Sequence, residues 1–167
     1  GELSDEQLKR KYLNYLEFTQ PVVKLLQQVD EVQTFRIVSL AVEVDLLLGA
    51  KLAGVVKLEL QMQTVSLINQ LNVPEQLKIA LLSTTKSDFA VSFIEKYLDH
   101  EDNTIRKQAR DALTTINTEV AIESLILSLN HEYDYIRGDS AEILGTIRSE
   151  KAVGSLIKVL NDKVSWV

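Results

Sequence analysis

Apolar residues in the second half of the chain recur at three- and four-residue steps. Ile105, Ala109, Ala112, Leu113 and Ile116 form one such stripe, the spacing that one buried face of an α-helix requires. A polar break, Asn117-Thr118-Glu119, follows, and then a second stripe of Ala121, Ile122, Leu125, Ile126 and Leu129. Thr118 is placed to cap the second helix, as is Ser149 in the corresponding break Arg148-Ser149-Glu150. Moving along by 31 residues repeats the pattern. Leu98 falls on Leu129 and Leu160, Ile105-Arg106 on Ile136-Arg137, Leu113 on Leu144, Ile116 on Ile147, and Ala121, Leu125 and Ile126 on Ala152, Leu156 and Ile157. One period upstream, Leu67, Leu82, Ala90 and Ile94 form a weaker copy, with Glu75 in the arginine slot.

A lone helix pair cannot bury its apolar stripes, so repeats of this kind stack on their neighbours. The expected fold is all-α: an α-solenoid of stacked antiparallel helix pairs with a period of 31 over residues 63–167. The last copy breaks off one residue short of its arginine, leaving Trp166 in the slot of Tyr135 and Thr104, where a following helix would cover it. The repeat is not legible over residues 1–62, which read as a helical cap or a diverged set of repeats. There, Ser4 with Gln7 makes a capping box, and Leu8, Tyr12, Tyr15 and Leu16 form an apolar stripe. Pro21 suits the first turn of a second helix, and one long helix is expected from about Thr34 to Ala53, stopped by Gly54.

Composition narrows the chemistry. The 167 residues are 46% hydrophobic and 25% charged, with no cysteine, so disulfides and thiolate catalysis are excluded and a cytoplasmic setting is expected. A net charge of −6 opposes a broad nucleic-acid footprint, so no nucleic acid is expected as partner. The most apolar run, from Ile37 to Val56, has membrane-span length but contains Glu43, Asp45 and Lys51. Each would cost about 2.5–3.5 kcal/mol at a bilayer centre, so this run is read as a buried helix and no membrane is expected as partner.

Two stretches carry a family resemblance. "LNHEYDYIRGDSAEILGTI" from Leu129 and "LDHEDNTIRKQARDALTTI" from Leu98 resemble HEAT repeats of the short variety named after phycobilisome lyases. The matching residues are Leu129, Asp134, Ile136, Arg137, Ala141, Leu144, Gly145 and Ile147, and Leu98, Asp102, Ile105, Arg106, Ala109, Leu113 and Ile116. Thr114 stands where that pattern has glycine. "LAVEVDLLLGAKLAG" ahead of such repeats is similar to segments that join NACHT-type NTPases to HEAT-like arrays in cyanobacterial proteins, although the chain contains no NTPase motif. The resemblance implies that Arg106 and Arg137 bond acidic or carbonyl groups of the adjacent repeat as a ladder, with Asp102 and Asp134 as the acids. It also implies a concave face lined by second helices, offering Glu119, Ile122, Glu123, Ile126, Val153, Gly154 and Ile157 to a partner. Ile126 and Ile157 serve either that face or the core.

The remaining motifs have plain readings. His100 and His131 lie one period apart, in the slot of Asp162, and fill a turn rather than bind a metal. Arg137-Gly138-Asp139-Ser140 matches an adhesion tripeptide but falls inside a predicted helix. "GAKLAG" from Gly49 lacks the Gly-Lys-Ser/Thr of a phosphate loop; its glycines suit close helix packing and a helix stop. Glu119 and Glu123 lie one turn apart but read as a solvated face rather than a catalytic pair. The expected function is therefore a non-enzymatic protein–protein interaction scaffold, without cofactor or metal, whose partner is another protein or another domain of its own chain. The alternatives are a phycobilin lyase or chaperone acting on phycobiliproteins and, with less support, a DNA-binding HEAT protein.

Overall fold

The computed structural model describes residues 3–14 and 19–160, and every regular element among them is helical. Tyr15 and Leu16 of the N-terminal stripe, and Asp162 and Trp166 of the broken-off copy, lie outside the described residues. Contacts divide the chain into two units, Gly1–Ala90 and Val91–Val167.

The first unit departs from expectation at Asp45. The long apolar run forms two helices, α3 (Glu31–Val44) and α4 (Leu46–Val55), and Asp45 between them is extended, with φ −155° and ψ 122°. Its N–H closes α3 on the Ala41 carbonyl at 2.8 Å, while its carboxylate accepts the Leu48 N–H at 2.7 Å and starts α4. A side chain that can serve a free helix N–H competes with continued helix, and here it ends one helix and caps the next. The break lets α4 fold back on α3. Asp45→Ala should lose about 1 kcal/mol in thermal denaturation and Asp45→Asn much less, since asparagine keeps the acceptor.

The fold-back makes α4 the centre of this unit. It packs against α2 (Thr19–Leu26), α3, α5 (Leu58–Asn69) and α6 (Glu75–Thr85), and Ala50, Leu52 and Ala53 are buried. Its glycines are contact points: a Cβ at Gly49 would press on Val42, and one at Gly54 would strike the Thr85 carbonyl. Gly54 therefore serves packing and does not stop the helix, which runs on to Val55. Thr64 donates at 2.7 Å to the Ala53 carbonyl inside the contact. At the N-terminus the capping box is present: Ser4 N–H donates to Gln7 at 3.0 Å, and Gln7 N–H donates to the Ser4 hydroxyl at 3.3 Å. It opens α1 (Asp5–Leu8), which runs into a π-helical turn, Lys9–Leu13. Arg36 ties this end down through Asp5 and the Leu3 carbonyl.

The second unit follows the sequence pattern closely. It holds the last part of α7 (Asp88–Glu95), then α8 (Asn103–Ile116), α9 (Glu119–Ser128), α10 (Asp134–Ile147) and α11 (Val153–Val159). Ile105, Ala109, Ala112, Leu113 and Ile116 are buried, as are Ala121, Leu125 and Leu129 and, in the next copy, Ile136 and Leu144. α10 packs across both α8 and α9, much as α6 packs across both α4 and α5 in the first unit.

The period also recurs in the backbone. Among the described residues, Lys86, Asn117 and Arg148 are the non-glycine residues of positive φ, at 52°, 48° and 56°, and successive ones are one period apart. Each is the left-handed cap of a first helix, and the following helical segments begin at Asp88, Glu119 and Glu150. The weaker upstream copy therefore has the same hinge as the two clear ones. Thr118 caps α9 through the Ala121 N–H, as expected. Ser149 does not cap with its side chain: the Ala152 N–H bonds the Ser149 carbonyl at 3.1 Å, and a 3-10 turn, Glu150–Ala152, leads into α11. Gly145 of α10 differs from Gly54 in its surroundings: a Cβ added there would meet no atom within 4 Å. Gly145→Ala should raise stability by about 0.8–1 kcal/mol through helix propensity, read as a higher denaturant midpoint.

Candidate functional site

The two histidines and two arginines build the same small structure twice. His100 accepts the Asp102 N–H on Nδ1 at 3.0 Å, and His131 accepts the Tyr133 N–H on Nδ1 at 3.2 Å. Arg106 donates from Nη1 to the carbonyls of His100 and Glu101 at 2.7 and 3.0 Å. Arg137 does the same to His131 and Glu132, at 3.0 Å each. Carbonyls left free where the chain turns between helices need donors, and a guanidinium six residues on supplies two at once.

For Arg106 this corrects the expected pairing with Asp102. Asp102 caps α8 through the Thr104 N–H at 2.7 Å, and Asp134 accepts the Tyr135 N–H at 2.8 Å. Both acids thus serve backbone N–H groups, and both arginines reach carbonyls of their own turn. Arg106 meets the next copy through an aromatic ring. The Arg106 guanidinium lies 4.8 Å from the Tyr135 ring centre, within cation–π range. Tyr135 stacks on Tyr133 at 5.5 Å and donates its hydroxyl to Asp99 at 2.7 Å. That bond to Asp99, with burial adding to it, holds the Tyr135 phenol above its ordinary range. Sequence reasoning missed Tyr135; its signal was an aromatic at a slot that holds threonine in one copy and tryptophan in another.

The expected partner face lies on two helices. α9 carries Glu119, Ile122, Glu123 and Ile126; both glutamates are exposed and both isoleucines half-buried. α11 carries Val153, Gly154 and Ile157, with Val153 at 51% and Ile157 at 57% exposure. Glu119 meets Lys151 at 2.8 Å. That hydrogen bond lowers the Glu119 carboxyl from its ordinary range and raises the Lys151 amine. A separate cleft of about 260 Å³ opens between the ends of α7 and α9 and the start of α10, and shares no residue with this set. In the first unit an apolar hollow of about 280 Å³ lies against the π-helical turn, lined by Leu8, Tyr12, Leu13, Val22, Leu25 and Ile37 among others.

No family model matches the chain, and no curated protein matches it. Among the described residues, no three His, Asp or Glu side chains gather as metal ligands would, and no helix is long and apolar enough to cross a membrane.

The adhesion-like tripeptide lies within α10. Asp139 is paired with Arg110 of α8, and the buried Ser140 donates to the Ile136 carbonyl at 2.7 Å. Burial holds the Asp139 carboxyl above its ordinary value of 3.8, against the opposing pull of Arg110. The folded chain therefore keeps this proton more tightly than the unfolded chain. From the ordinary value up to the raised one, the Asp139 contribution to stability falls as pH rises. Carbon-13 carboxyl NMR should find Asp139 titrating above the ordinary aspartate range, and Asp139→Asn should remove that part of the pH dependence.

Proposed function

We propose that the chain is a HEAT-like repeat module whose helix pairs stack as an α-solenoid, and that it binds another protein, or another domain of its own polypeptide, without catalysing a reaction. The observation that carries this reading is the hinge repeated at Lys86, Asn117 and Arg148, each followed by a new helical segment. Such periodic pairs present successive second helices as one continuous face. On that face Val153 and Ile157 remain open to solvent, beside the charged positions Glu119 and Glu123. An apolar strip rimmed by charge is the usual makeup of a protein-binding surface.

The test is site-specific photocrosslinking in the cells that make the chain. A benzophenone side chain at position 157 should capture one defined protein, and Ile126→Glu should abolish the capture. The same label at Asp111, exposed on α8, should capture nothing. Equal capture from both labels, or none from position 157, would contradict the reading.

A further inference from the structure

The cleft between α7 and α9 brings carboxylates and apolar side chains together. Its lining includes the carboxylates of Glu95 and Asp99 and the apolar side chains of Leu98, Leu127 and Ile136. α7 ends at Glu95 and α9 at Ser128, so two helix C-termini, each the negative end of a peptide dipole, reach the cleft. The Glu95 carboxylate makes no hydrogen bond or ion pair among the described residues. Asp99 accepts the Tyr135 hydroxyl on Oδ1, which leaves its second oxygen open. Among the described residues, no lysine or arginine lines the cleft. Arg106, over the Tyr135 ring, is bound to the carbonyls of its own turn.

Beside the carboxylates stands Leu127, 74% exposed. A leucine so open on a helix end, next to unpaired acid, marks a surface that complements both charge and apolar area. The volume of about 260 Å³ is several times the roughly 30 Å³ share of one water, room for one long side chain.

We infer that this cleft receives a lysine or arginine side chain of the partner, flanked in the partner by an apolar residue that covers Leu127. The inference rests on the binding-module reading and adds a second contact outside the face of α9 and α11. The alkyl stem of the incoming side chain lies along Leu98 and Leu127, and its cation meets Glu95 and the open oxygen of Asp99. Phosphate-rich partners, nucleic acid or anionic membrane, are repelled by the same charges.

The test uses the nitrogen-15-labelled full chain and a capped tetrapeptide that alternates leucine with lysine. Amide shifts should saturate and centre on Leu98, Leu127 and His131, and the peptide with glutamate for lysine should produce none. Glu95→Lys and Leu127→Ser should each weaken apparent affinity about five- to tenfold. Both residues are exposed, so neither change should alter the fold. Asp111→Lys makes the same charge change on the exposed side of α8 and should leave affinity within about twofold. Shifts spread over the acidic surface, or equal weakening by Glu95→Lys and Asp111→Lys, would overturn the inference. If crosslinking from position 157 succeeds while the cleft fails to bind, the module reading stands and this inference falls. If the cleft binds while position 157 captures nothing, the face assigned to α9 and α11 falls instead.

Discussion

Leu144→Asp should unfold the second unit, with loss of its helical circular-dichroism signal at room temperature. Leu144 is fully buried in α10, the helix that packs across both α8 and α9. Emptying such a site costs about 2–5 kcal/mol in the Leu→Ala case, and an unpaired buried carboxylate adds more. The sum, at least about 4 kcal/mol, approaches the whole stability of a typical domain. Glu123→Lys, on the exposed side of α9, should leave the melting curve almost unchanged. Equal melting of the two variants would remove the buried-face assignment on which the repeat rests.

Gly54→Ala should also destabilise the protein, although alanine is the better helix former by about 1 kcal/mol. The added methyl would strike the Thr85 carbonyl where α4 meets the end of α6. A backbone carbonyl cannot rotate away as a side-chain tip can, so the two helices must separate. Overpacking costs about 1–3 kcal/mol and occasionally more; against a backbone carbonyl the upper end applies, so the net loss should be about 2 kcal/mol after the gain in propensity. A denaturant midpoint at or above that of the parent would contradict the contact. The opposite sign expected for Gly145→Ala makes the pair informative: both glycines lie in helices, and only their surroundings differ.

The second unit was largely legible because its apolar residues obey two periods at once, the helical step and the 31-residue shift. The stripes predicted from Ile105 to Leu129 form helices, with the first stripe and Ala121, Leu125 and Leu129 buried and Ile122 and Ile126 half-buried. The first unit was less legible for an identifiable reason. Val44 and Leu46 flank Asp45 in an apolar run that could continue as helix, and the Asp45 cap together with the packing of α4 on α3 selects the break. The hinges were hidden as well: Asn117 is a residue that favours the left-handed region, whereas Lys86 and Arg148 give no such signal. The sequence marked Asn117 and Arg148 only as polar breaks, and not Lys86 at all.

The candidate sites divide in the same way. Positions on α9 and α11 could be named from the repeat because they follow from spacing along one helix. The cleft could not, because Glu95, Leu127 and His131 come from different helices and connections, and Glu95 occupies a slot filled by isoleucine in the other two copies. Arg106 was misassigned for a related reason. Spacing shows that Arg106 and Arg137 recur, but not that each reaches back over its own turn to two carbonyls.

The most direct test of the repeated unit is backbone NMR at its three hinges. Three-bond HN–Hα couplings and Cα shifts at Lys86, Asn117 and Arg148 should report positive φ at all three, each between helical flanks. Helical values running through any of them, or positive φ at Asn117 alone, would contradict the 31-residue architecture and the binding face built on it.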